Sequence, residues 1–201
     1  MRYLLIILAV FSFFPGHAQF SKHFKNKTCR IDYYHSGSLG VEYYMLDRIH
    51  QEPGWSGVRK KLIDHFDYGH YKFQVHDSAT GELIYSRVYG TLFNEYQATE
   101  EAKSQCGNFP ESVVFPFPKH VVRVDFYSRD KDLKWVKQYE IMVDPSSTDI
   151  IKKNDHTYEK FKVHYSGKPK KKLDIVFLPE GYRESEEEKF RSDCARFAGY
   201  L

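Results

Sequence analysis

The chain has 201 residues, 41% of them hydrophobic and 28% charged, with a formal net charge of +3; that is enough apolar material for a real core and too near neutral to call for a nucleic-acid partner. Its 16 Tyr and 16 Phe favour β structure, because aromatic side chains suit a pleated, half-buried surface. The 3 cysteines, Cys29, Cys106 and Cys194, are too few for a disulfide scaffold, and an odd number leaves at least one thiol free or paired elsewhere.

At the N-terminus, Arg2 precedes the apolar run YLLIILAVFSFF and then PGHA, which sets Gly16 and Ala18 at the small positions a signal peptidase requires. Residues 1–18 are therefore expected to be a cleaved secretory signal, leaving a secreted or periplasmic chain with no membrane span. Asn26-Lys27-Thr28 matches a glycosylation sequon, a tripeptide common by chance.

Residues 27–144 read as short strands separated by turns. In TCRIDYYHS, Cys29, Ile31, Tyr33 and His35 share one face while Arg30, Asp32 and Tyr34 take the other, the period of two that a half-buried strand requires. YHSGSLG, at Tyr34 to Gly40, reads as a turn, since no helix follows to offer its amides to a phosphate. In QEPGWSGVRKKL, Pro53 and Gly54 make a turn and Trp55 follows; Trp55 either covers the end of the core, the plainer reading for a single Trp, or stacks on a ligand.

Next come HYKFQVHD and ELIYSRVY, joined by SATG, where Gly81 can take a positive φ; they predict a β-hairpin. ATEEAKSQ predicts a short helix with Thr99 as its cap. ESVVFPFP predicts an edge strand, because Pro116 and Pro118 cannot donate ladder hydrogen bonds. VVRVDFYS and LKWVKQYEIMV flank the turn RDKD and predict a second hairpin, with Leu133, Trp135, Tyr139, Ile141 and Val143 on its buried face. Together these elements predict a mainly β chain, an antiparallel β-sandwich over residues 27–144.

Residues 145–172 read as a connector: DPSSTDIIKKNDHT is poor in apolar residues, YEKFKVHYSG supplies one alternating strand, and KPKKK at Lys168 to Lys172 is a solvated linker. At 173–201 the pattern changes. LDIVFL, Leu173 to Leu178, lacks alternation, as expected of a strand buried on both faces of an α/β sheet. Ser185 with Glu188 predicts a capping box, and Phe190, Cys194, Phe197 and Leu201 fall at helical spacing. One strand and one helix cannot enclose a core, so this stripe needs a partner surface.

Chemistry-bearing constellations are sparse. No His is followed by Glu, so the His-Glu-x-x-His helix of zinc peptidases, which sets two imidazoles one turn apart beside a general base, does not occur in this chain. His65, Asp67, His70 and His76 are near in sequence, but His70 and His76 lie apart on the polar face of one strand and read as surface histidines. Gly-x-Ser-x-Gly does not occur either, and Cys106 in QCGNF lacks a neighbouring His. A Cys29–Cys106 bridge stays open, and Cys194 reads as packing. Catalytic, cofactor and metal residues are accordingly assigned to none.

TCRIDYYHSG, PGWSGVRKKL, TGELIYSRVYGTLFNEYQATEEAKS, VVFPFPKHVVRVDFYSRD and LDIVFLPEGYRESEEEKFRSDCARF occur in an order and spacing that resembles the secreted bacterial zinc peptidases of the IgA metallopeptidase type, metallopeptidase family 64. The resemblance runs from about Thr28 to Leu201. It implies an N-terminal β-sandwich followed by the opening strand and helix of a zincin-like catalytic domain at Leu173 to Phe197, with Glu180 to Tyr182 as the shared turn. It also implies that the zinc ligands and catalytic Glu belong beyond Leu201, so that none can be placed on this sequence. The chain is then expected to be a non-catalytic N-terminal module of a secreted zinc metallopeptidase, needing its catalytic domain as partner through Phe190, Phe197 and Leu201. The alternative expectation is a stand-alone secreted β-sandwich that binds a protein or glycan ligand through Trp55 and its Tyr-rich strands.

Overall fold

The computed structural model describes residues 18–152, 159–167 and 172–200. The signal sequence expected at residues 1–18, the basic linker as far as Lys171, and Leu201 lie outside them, apart from Ala18 itself. In chain order the elements are α1 (Ala18–His23), β1 (Phe24–Ser38), β2 (Val41–Pro53), β3 (Tyr71–Asp77), β4 (Leu83–Tyr89), α2 (Leu92–Gln97), β5 (Gly107–Pro118), β6 (Val122–Arg129), β7 (Trp135–Val143), β8 (Ile151–Lys152) and α3 (Glu187–Ala198). The chain divides into two compact units, Met1–Asp155 and His156–Leu201.

The first unit is a mainly β sandwich. Two four-stranded sheets, ordered β5-β1-β2-β8 and β4-β3-β6-β7, are antiparallel except where β8 runs parallel to β2. The alternation read in β1 is realised: Cys29, Ile31, Tyr33 and His35 are buried, and Arg30, Asp32 and Tyr34 lie half-buried on the opposite face. Across the sheets, Tyr33 meets Phe126 with ring centres 5.2 Å apart, and Phe73 meets Phe115 at 6.3 Å. Burying a Phe or Val fully contributes roughly 1.5–3 kcal/mol, so this interleaved aromatic layer dominates the stability of the sandwich. Phe20 of α1 and Phe24 join the same core.

The β1–β2 hairpin turns on Leu39 and Gly40, the latter at φ 71°. At Gly37 a Cβ would stand 2.0 Å from the Val41 carbonyl oxygen, so the close approach of the two strands requires glycine there. Strand β5 is an edge, as expected from its prolines, and places Pro110, Pro116 and Pro118 against β1. Both expected hairpins form, β3–β4 and β6–β7.

Several local expectations are corrected. The short helix forms earlier, at Leu92–Gln97 with Thr91 at its N-cap position rather than Thr99, and the ATEEAKSQ stretch keeps only a single 3-10 turn at Glu101–Lys103. There the Thr99 hydroxyl accepts from the Ala102 amide at 3.3 Å, a cap on one turn. Leu133 is 64% exposed because it sits in the β6–β7 turn at φ 60°, not on the buried face with Ile141 and Val143. In the connector the ladder strand is β8, and residues 159–167 carry none.

In the second unit, Leu173 to Leu178 forms no ladder with any described segment. Leu173, Val176 and Leu178 are 86%, 77% and 76% exposed: a strand apolar on both faces cannot form without neighbours on both sides. A turn at Pro179–Tyr182, with Gly181 at φ 82°, leads through a 3-10 turn at Glu184–Glu186 into α3. The cap lies two residues earlier than expected from Ser185 and Glu188, since the Arg183 amide donates to the Glu186 carboxylate at 3.0 Å. The Tyr182 hydroxyl donates to Asp193 at 2.9 Å, and Phe190 packs edge-on to Phe161 and Tyr182.

Candidate functional site

One end of the sandwich is not apolar. The fully buried His35 ring lies between Tyr44, with centres 4.2 Å apart, and Phe93 of α2, at 3.9 Å, with Tyr71 edge-on at 5.0 Å. Its Nε2 is 3.0 Å from Glu42 on β2, and its Nδ1 is 3.4 Å from Glu111 on β5. The Tyr33 hydroxyl donates to Glu111 at 2.8 Å, and the Tyr44 hydroxyl to Glu42 at 3.4 Å.

This network joins the two sheets. Glu42 accepts a hydrogen bond from Ser128 of β6, which in turn accepts from the Gln138 amide at 2.9 Å. The Tyr33 and Tyr89 hydroxyls, from β1 and β4, meet at 3.0 Å. Burial alone would lower the His35 pKa, but the carboxylates of Glu111 and Glu42 more than reverse that and hold it above the usual histidine value. Burial raises the Tyr33, Tyr44, Tyr71 and Tyr89 phenols, which therefore remain neutral donors.

Chemically, the arrangement sets one imidazole between two carboxylates. A ligating histidine gives one ring nitrogen to the metal and the other to an orienting acceptor, whereas here each nitrogen faces a different carboxylate, on opposite sides of the ring. Among the described residues no group of three or more His, Cys, Asp or Glu converges on a metal position, so these residues do not fit the zinc site of a peptidase. Breaking a buried ion pair is strongly destabilising, while the intact pair adds little net stability; the network ties β1, β2 and β5 of one sheet to β4 and β6 of the other.

A second feature lies on the loop between β2 and β3. Asp67 is its staple: its carboxylate accepts from Trp135 Nε1 at 2.8 Å and its carbonyl accepts from Arg129 at 2.6 Å. Arg129 also donates to the Gly69 carbonyl at 2.9 Å. Lys72 and Arg129 stand 4.2 and 4.0 Å from the Trp135 ring centre. The Trp135 hydrogen bond first, and the Lys72 and Arg129 charges with it, lower the Asp67 pKa. Phe66 and Tyr68 flank this staple and face solvent.

The residues singled out in the sequence fall as follows. Trp55 packs against the core, edge-on to Tyr85, with Nε1 donating to the Val58 carbonyl at 3.1 Å, so it covers the end of the core. Of the four grouped residues, Asp67 serves the staple, His76 lies 3.6 Å from the buried Asp125, and His65 and His70 are exposed. All three cysteines are free; Cys29 and Cys194 are buried and Cys106 is exposed, so no Cys29–Cys106 bridge exists. Burial pushes the Cys29 thiol far up, out of the reactive range. Asn26 accepts a hydrogen bond from Arg59. Phe197 is 49% exposed.

Sequence reasoning placed His35 on the inner face but did not find its partners or the Phe66–Tyr68 pair. The available signal was the inward histidine itself, since a buried imidazole demands polar partners from neighbouring strands.

Compared with known proteins, residues 19–140 match the family described as peptidase M64 N-terminus. No curated protein matches the chain.

Proposed function

Because the chain belongs to the peptidase M64 N-terminus family, we propose that it is the non-catalytic N-terminal module of a secreted zinc metallopeptidase of the IgA type, whose peptide-bond hydrolysis is performed by residues outside this chain. The observation that carries the reading is the match over residues 19–140, which spans β1 to β6 and most of β7. It starts at the residue following the expected signal cleavage, which supports export.

The second unit supports the same reading. The exposed run from Leu173 to Leu178, with Phe197, is the kind of surface that a sheet and core contributed by a following peptidase domain would cover, and this domain is the proposed partner. Zinc belongs to that domain in this proposal. No hydrolytic step is assigned to the described residues, because their donor groups do not converge.

The test combines the gene and the protein. Reading the coding frame past Leu201 should reveal a His-Glu-x-x-His helix, and the purified chain supplied with zinc should hydrolyse labelled casein no faster than buffer. Chelator-sensitive hydrolysis by the chain alone, or a frame without that helix, would overturn the proposal.

A further inference from the structure

Helix α1 is tied to the sandwich almost from its first residue. Phe20 is 7% exposed and packs on Phe24 with ring centres 5.9 Å apart, and the Arg59 guanidinium stands 5.1 Å from the Phe20 ring centre. The Lys119 amide donates to the His23 carbonyl at 2.8 Å, and the Lys119 ammonium donates to the Ser21 carbonyl. Lys22 pairs with Glu82 at 3.0 Å. Phe20 therefore belongs to the core, and Gly16 and Ala18, the small residues that signal cleavage requires, stand just before it. Between the expected cleavage position and the anchored Phe20 lies a single residue, Gln19.

We propose that Gln19 becomes the N-terminal residue on export and closes to pyroglutamate, a modification that leaves the mature chain without an N-terminal charge. This inference rests on the export reading given above. The lone pair of the Gln19 α-amine attacks the δ-carbonyl carbon of the same residue's carboxamide. The new C–N bond closes a lactam ring, the C–NH2 bond breaks, and one amine proton leaves with that nitrogen as ammonia; no oxidant or co-reactant is consumed. Amine and carboxamide belong to one residue, so closure needs no group from elsewhere in the fold. The surroundings favour the uncharged product. The cations of Arg59 and Lys119 contact the next two residues, Phe20 and Ser21. Like charges nearby favour the free amine over the ammonium, which supplies the nucleophile, and the lactam removes the terminal charge altogether. Closure sacrifices no helical hydrogen bond, because the first amides of a helix have no partner within it.

Intact mass spectrometry of the mature chain recovered from its exporting cells tests the proposal, followed by Edman sequencing of the denatured chain before and after pyroglutamate aminopeptidase. The expected mass is that of residues 19–201 less one ammonia, with sequencing blocked until the enzyme exposes Phe20. The variant Gln19→Ser, exported in the same way, should sequence from its first residue without the enzyme, because serine has no carboxamide to close on. A chain of residues 19–201 with an open Gln19 amine would overturn the modification while leaving cleavage after Ala18 standing. A chain beginning at Met1, or at any residue other than Gln19, would overturn both.

Discussion

The two compact units handle apolar residues in opposite ways. In the sandwich, Ile31, Phe73, Val124 and Phe126 are almost completely buried, because each lies on an inner face with ladder neighbours that satisfy its backbone. In the second unit the densest apolar run, Leu173 to Leu178, is mostly exposed, and Cys194 is the buried residue of α3. The two stretches have similar composition. Hydrophobicity makes a strand only where neighbouring strands can take up its amides and carbonyls.

The sharpest way to break this contrast is in the aromatic layer. Phe126→Ala is expected to cost about 3–5 kcal/mol in urea unfolding, with loss of signal from both sheets together. Glu42→Gln, which leaves His35 with one carboxylate and disturbs the Ser128 contact, should cost about 1.5–3 kcal/mol; a change confined to β2 amides in hydrogen exchange would show that the network does not join the sheets.

The same network predicts a pH effect. A histidine whose folded pKa lies above its unfolded value stabilises fully below the unfolded pKa and loses that contribution as pH rises through the folded one. His35 should therefore favour folding below about pH 6.5 and progressively less above it. His23 works in the opposite sense: burial, then Lys22, lower its pKa, so its contribution is lost as pH falls. Urea midpoints measured across this range should show the alkaline decline in the native chain and a flatter profile in His35→Gln. Smaller still, Trp135→Phe should cost about 1 kcal/mol by removing the Asp67 bond. At the far end, Val176→Ser should change stability by no more than about 0.5 kcal/mol; a larger loss would mean that the exposed run is already packed.

How much of this was legible depended on phase. Strand β1 keeps strict alternation and was readable. Strand β2 was not, because Asp47 is an extra residue: Leu46 pairs with Tyr33 and Arg48 with Asp32, so the inward set shifts from Glu42 and Tyr44 to Ile49 and the period of two is lost. Its first inward residue is also a glutamate, which on composition alone belongs outside. Glu111 is hidden for the same reason, and only the fold brings it beside His35. Loop residues Phe66 and Tyr68 follow no period, and the staple at Asp67 between them depends on Trp135, which is distant in the chain. By contrast, the prolines of β5 carry their positional meaning in themselves, and the edge was read correctly.

The staple at Asp67 has an optical consequence. The chain contains 2 tryptophans, and Trp135 has its indole N–H on a carboxylate and two cations against its ring. Its excited state therefore lies in a local electric field set by the same groups that fix the loop. With Trp55 replaced by Phe, emission wavelength and lifetime would report the posture of residues 64–70 alone, an intrinsic, label-free gauge of the loop.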